Sequence, residues 1–110
     1  MPEADPTRAI AIVGGGPRGF FALDCLCGWA ARYPHHRLAI TLLDPAARPG
    51  AGPVYDPNQP DYLLMNFAAG LIDAWDRSFA SNAQRPSLVD WLARTNSASA
   101  DPGAYVPRAT

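Results

Sequence analysis

The run Ile10-Ala11-Ile12-Val13-Gly14-Gly15-Gly16-Pro17-Arg18-Gly19 restricts the fold of this chain more than any other stretch. Its apolar, β-branched opening predicts a buried parallel strand, and the strand runs straight into a Gly-x-Gly-x-x-Gly turn made by Gly14, Gly16 and Gly19. The three glycines have different physical tasks. Gly14 turns the chain sharply off the strand, Gly16 lets the backbone approach a pyrophosphate, and Gly19 lets helix and strand pack closely. Pro17 suits the first helical turn, where its missing N–H is not needed and its φ is already helical. The helix that follows aims its unbonded N–H groups and positive dipole end at an anion.

A glycine-rich turn by itself says little, so its surroundings decide. Phe20, Phe21, Leu23, Leu26 and Cys27 recur at helical spacing and predict one broad buried face. The helix is expected to stop near Tyr33, because Pro34 keeps its predecessor out of helical geometry. Arg32, His35, His36 and Arg37 form a polar connection to a second apolar run, Leu38 to Leu43, which ends on Asp44 and Pro45. Strand, glycine turn, helix, strand and acid make the first β-α-β unit of an α/β, Rossmann-like fold. Asp44 can accept hydrogen bonds from free ribose hydroxyls and would repel a 2′-phosphate, which disfavours NADP at this position. Its other reading is a cap on the turn before Pro45.

A chain of 110 residues suits one domain, read as residues 9–110 after a flexible lead over residues 1–8. Only two strands are evident, so the fold is expected to be incomplete. A net charge of −1 implies no general attraction to nucleic acid or to a membrane surface. All nine basic residues are arginine, which with the abundant alanine reads as GC-rich codon usage. No run approaches the roughly 18 apolar residues of a membrane span. The opening Met1 to Pro6 is acidic and Pro-rich, unlike a secretory signal, so a cytoplasmic location is expected. Cys25 and Cys27 point to nearly opposite sides of a helix and read as small packing residues. His35 and His36 have no acidic or thiol partner at ligand spacing and read as a solvated loop, so no metal site is expected.

Beyond Asp44, Pro45, Pro49, Pro53, Pro57 and Pro60 with Gly50 and Gly52 exclude a helix or a central strand. Asp61 to Phe67 fits a short strand or an extended segment. Ser87 to Arg94 predicts a short helix, with Ser87 and Asp90 as a capping box and Leu88, Trp91 and Leu92 on one face. Asn96 to Pro102 reads as a loop. Trp75 and Trp91 read as packing residues.

Four segments, in order, resemble one flavoprotein family: Gly14 to Gly19, Gly50-Ala51-Gly52-Pro53-Val54-Tyr55, Leu64-Met65-Asn66, and Tyr105-Val106-Pro107-Arg108. It is the FAD/NAD(P)-binding domain family typified by FAD-dependent urate hydroxylase and aspartate N-monooxygenase, and the resemblance extends from Ile10 to Arg108. It implies FAD as cofactor, with Gly14, Gly15, Gly16, Pro17, Arg18 and Gly19 around the pyrophosphate and Asp44 on the adenosine ribose. It implies a close backbone approach at Gly52, which otherwise reads as a plain Gly/Pro turn. Asn66 would offer its amide to the flavin side, or serve as a turn residue. Arg108 would bring a cation near the pyrophosphate, or remain solvated.

Members of this family run to several hundred residues and add further strands and a second nucleotide-binding region. The expectation is therefore an N-terminal segment of an NAD(P)H-dependent flavin monooxygenase acting on a small molecule, with no catalytic residue assigned within it. Two other readings remain: the NAD-binding unit of a dehydrogenase, and an inactive truncated fragment. The Pro/Gly-rich stretch after Asp44 argues against the first of these, because a NAD domain passes quickly to a further helix and strand.

Overall fold

The computed structural model describes residues 6–46, 49–95 and 100–109. They divide into two compact units, Met1–Gly52 and Pro53–Thr110. Most of the lead read over residues 1–8 lies outside the described residues, and Arg8 already belongs to the first strand.

In the first unit β1 (Arg8–Val13) and β2 (Leu38–Leu43) pair in parallel, with Arg8 opposite Leu38 and Val13 opposite Leu43. The crossover between them is α1 (Pro17–Arg32). Pro17 occupies the start of α1, and the Tyr33 N–H closes its end on the Trp29 carbonyl at 3.0 Å, one residue before Pro34. Both strands alternate: Ile10, Ile12, Leu38, Ile40 and Leu42 are half-buried, and the residues between them are exposed.

Two expectations need correction here. β1 is not a fully buried strand, for Val13 is 83% exposed and its partner Leu43 51%. On α1, Phe21 and Cys27 are exposed, while Phe20, Leu23 and Leu26 are half-buried. The physical reason is the same for both. A two-stranded sheet with one helix covers a single face, so only every second strand residue and a narrow stripe of the helix lose contact with water.

Among the described residues of the second unit are α2 (Leu88–Arg94), an α-helix, and 3₁₀ turns at Pro53–Tyr55, Ala69–Leu71 and Ala80–Asn82. Its core joins Ala69, Leu92 and Val106, with Met65, Leu88 and Val89 packed against them. The predicted capping box is present. Ser87 Oγ accepts from the Asp90 N–H at 3.2 Å, and Asp90 Oδ2 accepts from the Ser87 N–H at 2.8 Å. Of the segment over residues 61–67, Asp61 and Tyr62 form a turn, Asn66 and Phe67 a bend, and between them Leu64 makes an antiparallel bridge to Pro107. The Met65 N–H donates to the Val106 carbonyl at 2.9 Å and the Arg108 N–H to the Leu63 carbonyl at 2.8 Å. That pattern puts Leu64 and Pro107 at a non-hydrogen-bonded pair, where the missing N–H of proline costs the ladder nothing. Four residues of the loop read over residues 96–102 lie outside the described residues.

Candidate functional site

The glycine turn sits at the C-terminal ends of β1 and β2, where an open parallel sheet offers a crevice. The Gly14 N–H still belongs to the sheet, donating to the Leu43 carbonyl at 2.8 Å, and Gly14 then turns with φ +99°. Only glycine adopts that conformation without strain. Gly19 lies so close to the turn that a Cβ there would overlap the Gly14 carbonyl oxygen. The helix is thereby seated directly on the end of the strand.

Gly16 precedes α1 and offers no side-chain cap. The first helical bond runs from the Phe20 N–H to the Gly16 carbonyl at 2.9 Å, which places the Arg18 and Gly19 N–H groups at the open end of the helix. A cleft of about 580 Å³ opens there, lined by Val13, Gly14, Gly16, Pro17, Arg18 and Gly19. Three glycines and Arg18 are among these residues, with no acidic side chain, and the open helix N–H groups lie at the same end. The donor set suits an anionic phosphate group and fits the pyrophosphate of a dinucleotide. Gly52, with φ +69°, runs against this turn: a Cβ on it would stand 3.4 Å from Gly16 Cα and 3.5 Å from Pro17 Cδ. The Gly50 N–H also donates to the Gly15 carbonyl.

Asp44 follows β2 directly and is half-buried. One carboxylate oxygen accepts from the Gly15 N–H, and the other accepts from the Ala46 N–H at 2.6 Å. The residue therefore caps the turn after Pro45 and ties β2 to the glycine turn at the same time. Each carboxylate oxygen has a further lone pair for a ribose hydroxyl. Gly15 is buried and a Cβ on it would collide with Asp44, so this tie requires glycine at position 15 as well. Nothing in residue spacing reveals that contact, because it depends on two strands lying side by side.

In the second unit, Asn66 and Arg108 come together. The Arg108 Nε donates to the Leu64 carbonyl at 2.9 Å, and its terminal nitrogen donates to Asn66 Oδ1 at 3.3 Å. Asn66 is exposed and Arg108 half-buried. A second polar group in this unit escaped the sequence reading. Arg77 pairs with Asp73 through Nε at 2.6 Å and a terminal nitrogen at 3.0 Å, and donates to the carbonyls of Asn82 and Arg85 at 2.8 and 2.9 Å. The hydrogen bond from Arg77 holds the Asp73 carboxyl below the usual carboxylate range. The Ser87 side chain does the same for Asp90, with help from the Ser87 backbone. Both groups organise a loop and a helix start. Trp75 packs in that loop, donating from Nε1 to the Pro86 carbonyl at 3.0 Å with the Arg85 guanidinium 5.0 Å above its ring. Trp91 is 43% exposed and packs only in part.

Cys25 is half-buried and Cys27 exposed, and His35 and His36 are both exposed. Among the described residues, no cluster of three or more His, Cys, Asp or Glu could hold a metal ion, and no helix is long and apolar enough to cross a membrane.

Residues 11–110 match the profile of a family described as FAD-NAD(P)-binding. The chain is 37% identical over 96 residues to nitrosuccinic acid synthase npaA of Aspergillus oryzae, covering 82% of this chain and 15% of that protein. It is 36% identical over 87 residues to the nitrosuccinate-forming L-aspartate N-monooxygenase of Streptomyces cremeus, covering 74% and 13%. Against the enzyme of the same name from Streptomyces davaonensis, the identity is 39% over 69 residues, covering 62% and 10%. The chain thus spans 10% to 15% of the length of these curated relatives.

Proposed function

The chain belongs to the FAD-NAD(P)-binding family, and from that premise we propose that it is the FAD-binding segment of an NAD(P)H-dependent monooxygenase that oxidises the amine nitrogen of a small amino acid such as aspartate. The carrying observation is the glycine turn with Asp44 tied to the Gly15 N–H at the strand ends. In this reading Gly14, Gly15, Gly16, Pro17, Arg18 and Gly19 surround the FAD pyrophosphate, and Gly52 closes the backbone around it. Asp44 accepts from the adenosine ribose, and Asn66 donates to the cofactor. The chain's own work is binding and orientation. Helix N–H groups and Arg18 offset the phosphate charge, and Asp44 selects a ribose without a 2′-phosphate. When bound, FAD would supply the redox chemistry of a monooxygenation that consumes NAD(P)H and O2, in which one oxygen atom enters the substrate and the other leaves as water. In this reading the whole protein works in the cytoplasm on a small-molecule substrate, with neither nucleic acid nor membrane as a partner.

The test is to purify the complete protein, identify any released cofactor by chromatography, and follow NADH and NADPH oxidation with and without L-aspartate. FAD at close to one per chain, with oxidation stimulated by aspartate, supports the proposal. Retention of NAD in place of FAD would move the chain to the dehydrogenase reading. FAD without any response to aspartate or other small amino acids would remove the substrate assignment alone.

A further inference from the structure

We propose that Gly15 is a positioning residue that sets specificity at the adenosine end of the cofactor, acting through the Asp44 carboxylate. The inference rests on the FAD reading above and uses contacts within the first unit alone. Gly14, Gly16 and Gly19 line the cleft at the helix start, and Gly15 does not. It is buried; its N–H donates to Asp44 Oδ2, and its carbonyl accepts from the Gly50 N–H. The peptide is thus held on both sides, and its donor is committed to Asp44 in place of a phosphate. The other carboxylate oxygen accepts from the Ala46 N–H at 2.6 Å. A carboxylate bonded to backbone through both oxygens is not free to turn away from an incoming group. Held so, the half-buried anion keeps lone pairs for ribose hydroxyls and repels a 2′-phosphate, whereas an unheld aspartate would rotate aside. Glycine is required here for space and not for backbone freedom, since Gly15 is not among the glycines of positive φ. An added Cβ would stand 2.5 Å from Asp44 Oδ2 and 2.9 Å from both its Cβ and its Cγ. Because Cβ is among these atoms, rotation of the carboxylate does not relieve the overlap. Alanine at this position must displace the whole Asp44 side chain from its two backbone donors.

A double-mutant cycle on the full chain tests this, with Gly15→Ala, Asp44→Gly and the pair. ADP and 2′-phospho-ADP compete against bound FAD, read as released flavin fluorescence, so that only the FAD site is reported. The unsubstituted protein is expected to prefer ADP by about tenfold or more, the effect of setting like charges together. Gly15→Ala should weaken ADP by about tenfold, the effect of one hydrogen bond to a charged group, and leave 2′-phospho-ADP almost unchanged, so that the preference collapses. Asp44→Gly should do the same. The pair should bind ADP as Asp44→Gly does, since that change removes every atom the new Cβ meets. Equal losses of both ligands on Gly15→Ala would overturn the proposal, because the turn itself would then be deformed. A preference left intact, or a further loss of ADP in the pair, would overturn it too. If Gly15→Ala does not fold, the pair is compared with Asp44→Gly alone: equal ADP affinity supports the proposal and a further loss overturns it. A protein that holds no FAD removes the premise, and this is seen before any competitor is added.

Discussion

Gly19 is the residue with the least freedom to change, because the Gly14 carbonyl oxygen occupies the position its Cβ would take. Gly19→Ala must push α1 away from the turn, and with it the helix N–H groups that face the cleft. FAD affinity is expected to fall at least tenfold, measured as flavin per protein after gel filtration, using about 1.4 kcal/mol per tenfold change. At Asp44 the charge matters as much as the geometry. Asp44→Asn keeps one acceptor for a backbone N–H but removes the anion that receives the ribose hydroxyls. Hydrogen bonds to charged groups are worth about 1.5–3 kcal/mol, so FAD binding should weaken by roughly tenfold or more in a direct titration. The presence of an acid after β2 was legible in the residues. Its simultaneous hold on the Gly15 and Ala46 N–H groups was not, since it needs β1 and β2 in register beside one another.

At the scale of elements, α2 shows how far a local signal reaches. A serine three residues before an aspartate predicted a capping box, and both of its hydrogen bonds are present. Such a cap contributes about 1 kcal/mol, so Ser87→Ala should speed hydrogen exchange of the amides over residues 88–94 by roughly fivefold at neutral pH. The same cap carries a pH dependence. Asp90 and Asp73 both have lower carboxyl pKa values in the fold than in the unfolded chain, through Ser87 and Arg77 respectively. Their contribution is complete above the ordinary aspartate pKa of about 3.9 and is lost as pH falls through their folded values. Exchange over residues 73–95 should therefore accelerate on acidification below about pH 4, and Ser87→Ala should blunt that response around α2. The Asp73–Arg77 pair was not read in advance, because four-residue spacing signals an ion pair on a helix and this segment is irregular.

On the scale of the whole molecule, exposed apolar surface is the dominant feature. Within the first unit Val13, Trp29 and Leu43 are about half exposed or more, and a hollow of about 450 Å³ opens beside Ile10, Trp29, Tyr33 and Leu38. Within the second, Tyr62 is 79% and Leu71 77% exposed. Surfaces of this kind bind apolar dyes and lower cooperativity. The 110-residue chain is expected to bind anilinonaphthalene sulfonate, read as a rise in dye fluorescence. No rise would show that these apolar faces are covered in solution.

What the residues determined alone was local: the β1-α1-β2 order, the end of α1 at Tyr33, the α2 cap and the placing of the glycine turn. Each follows from side-chain period, proline geometry or capping chemistry within a few neighbouring positions. Tertiary structure alone decided which strand residues lose contact with water, how Gly52 meets Gly16, and that Arg108 clasps Asn66 from 42 residues away. Those outcomes depend on which backbones lie side by side, and no local periodicity carries that information.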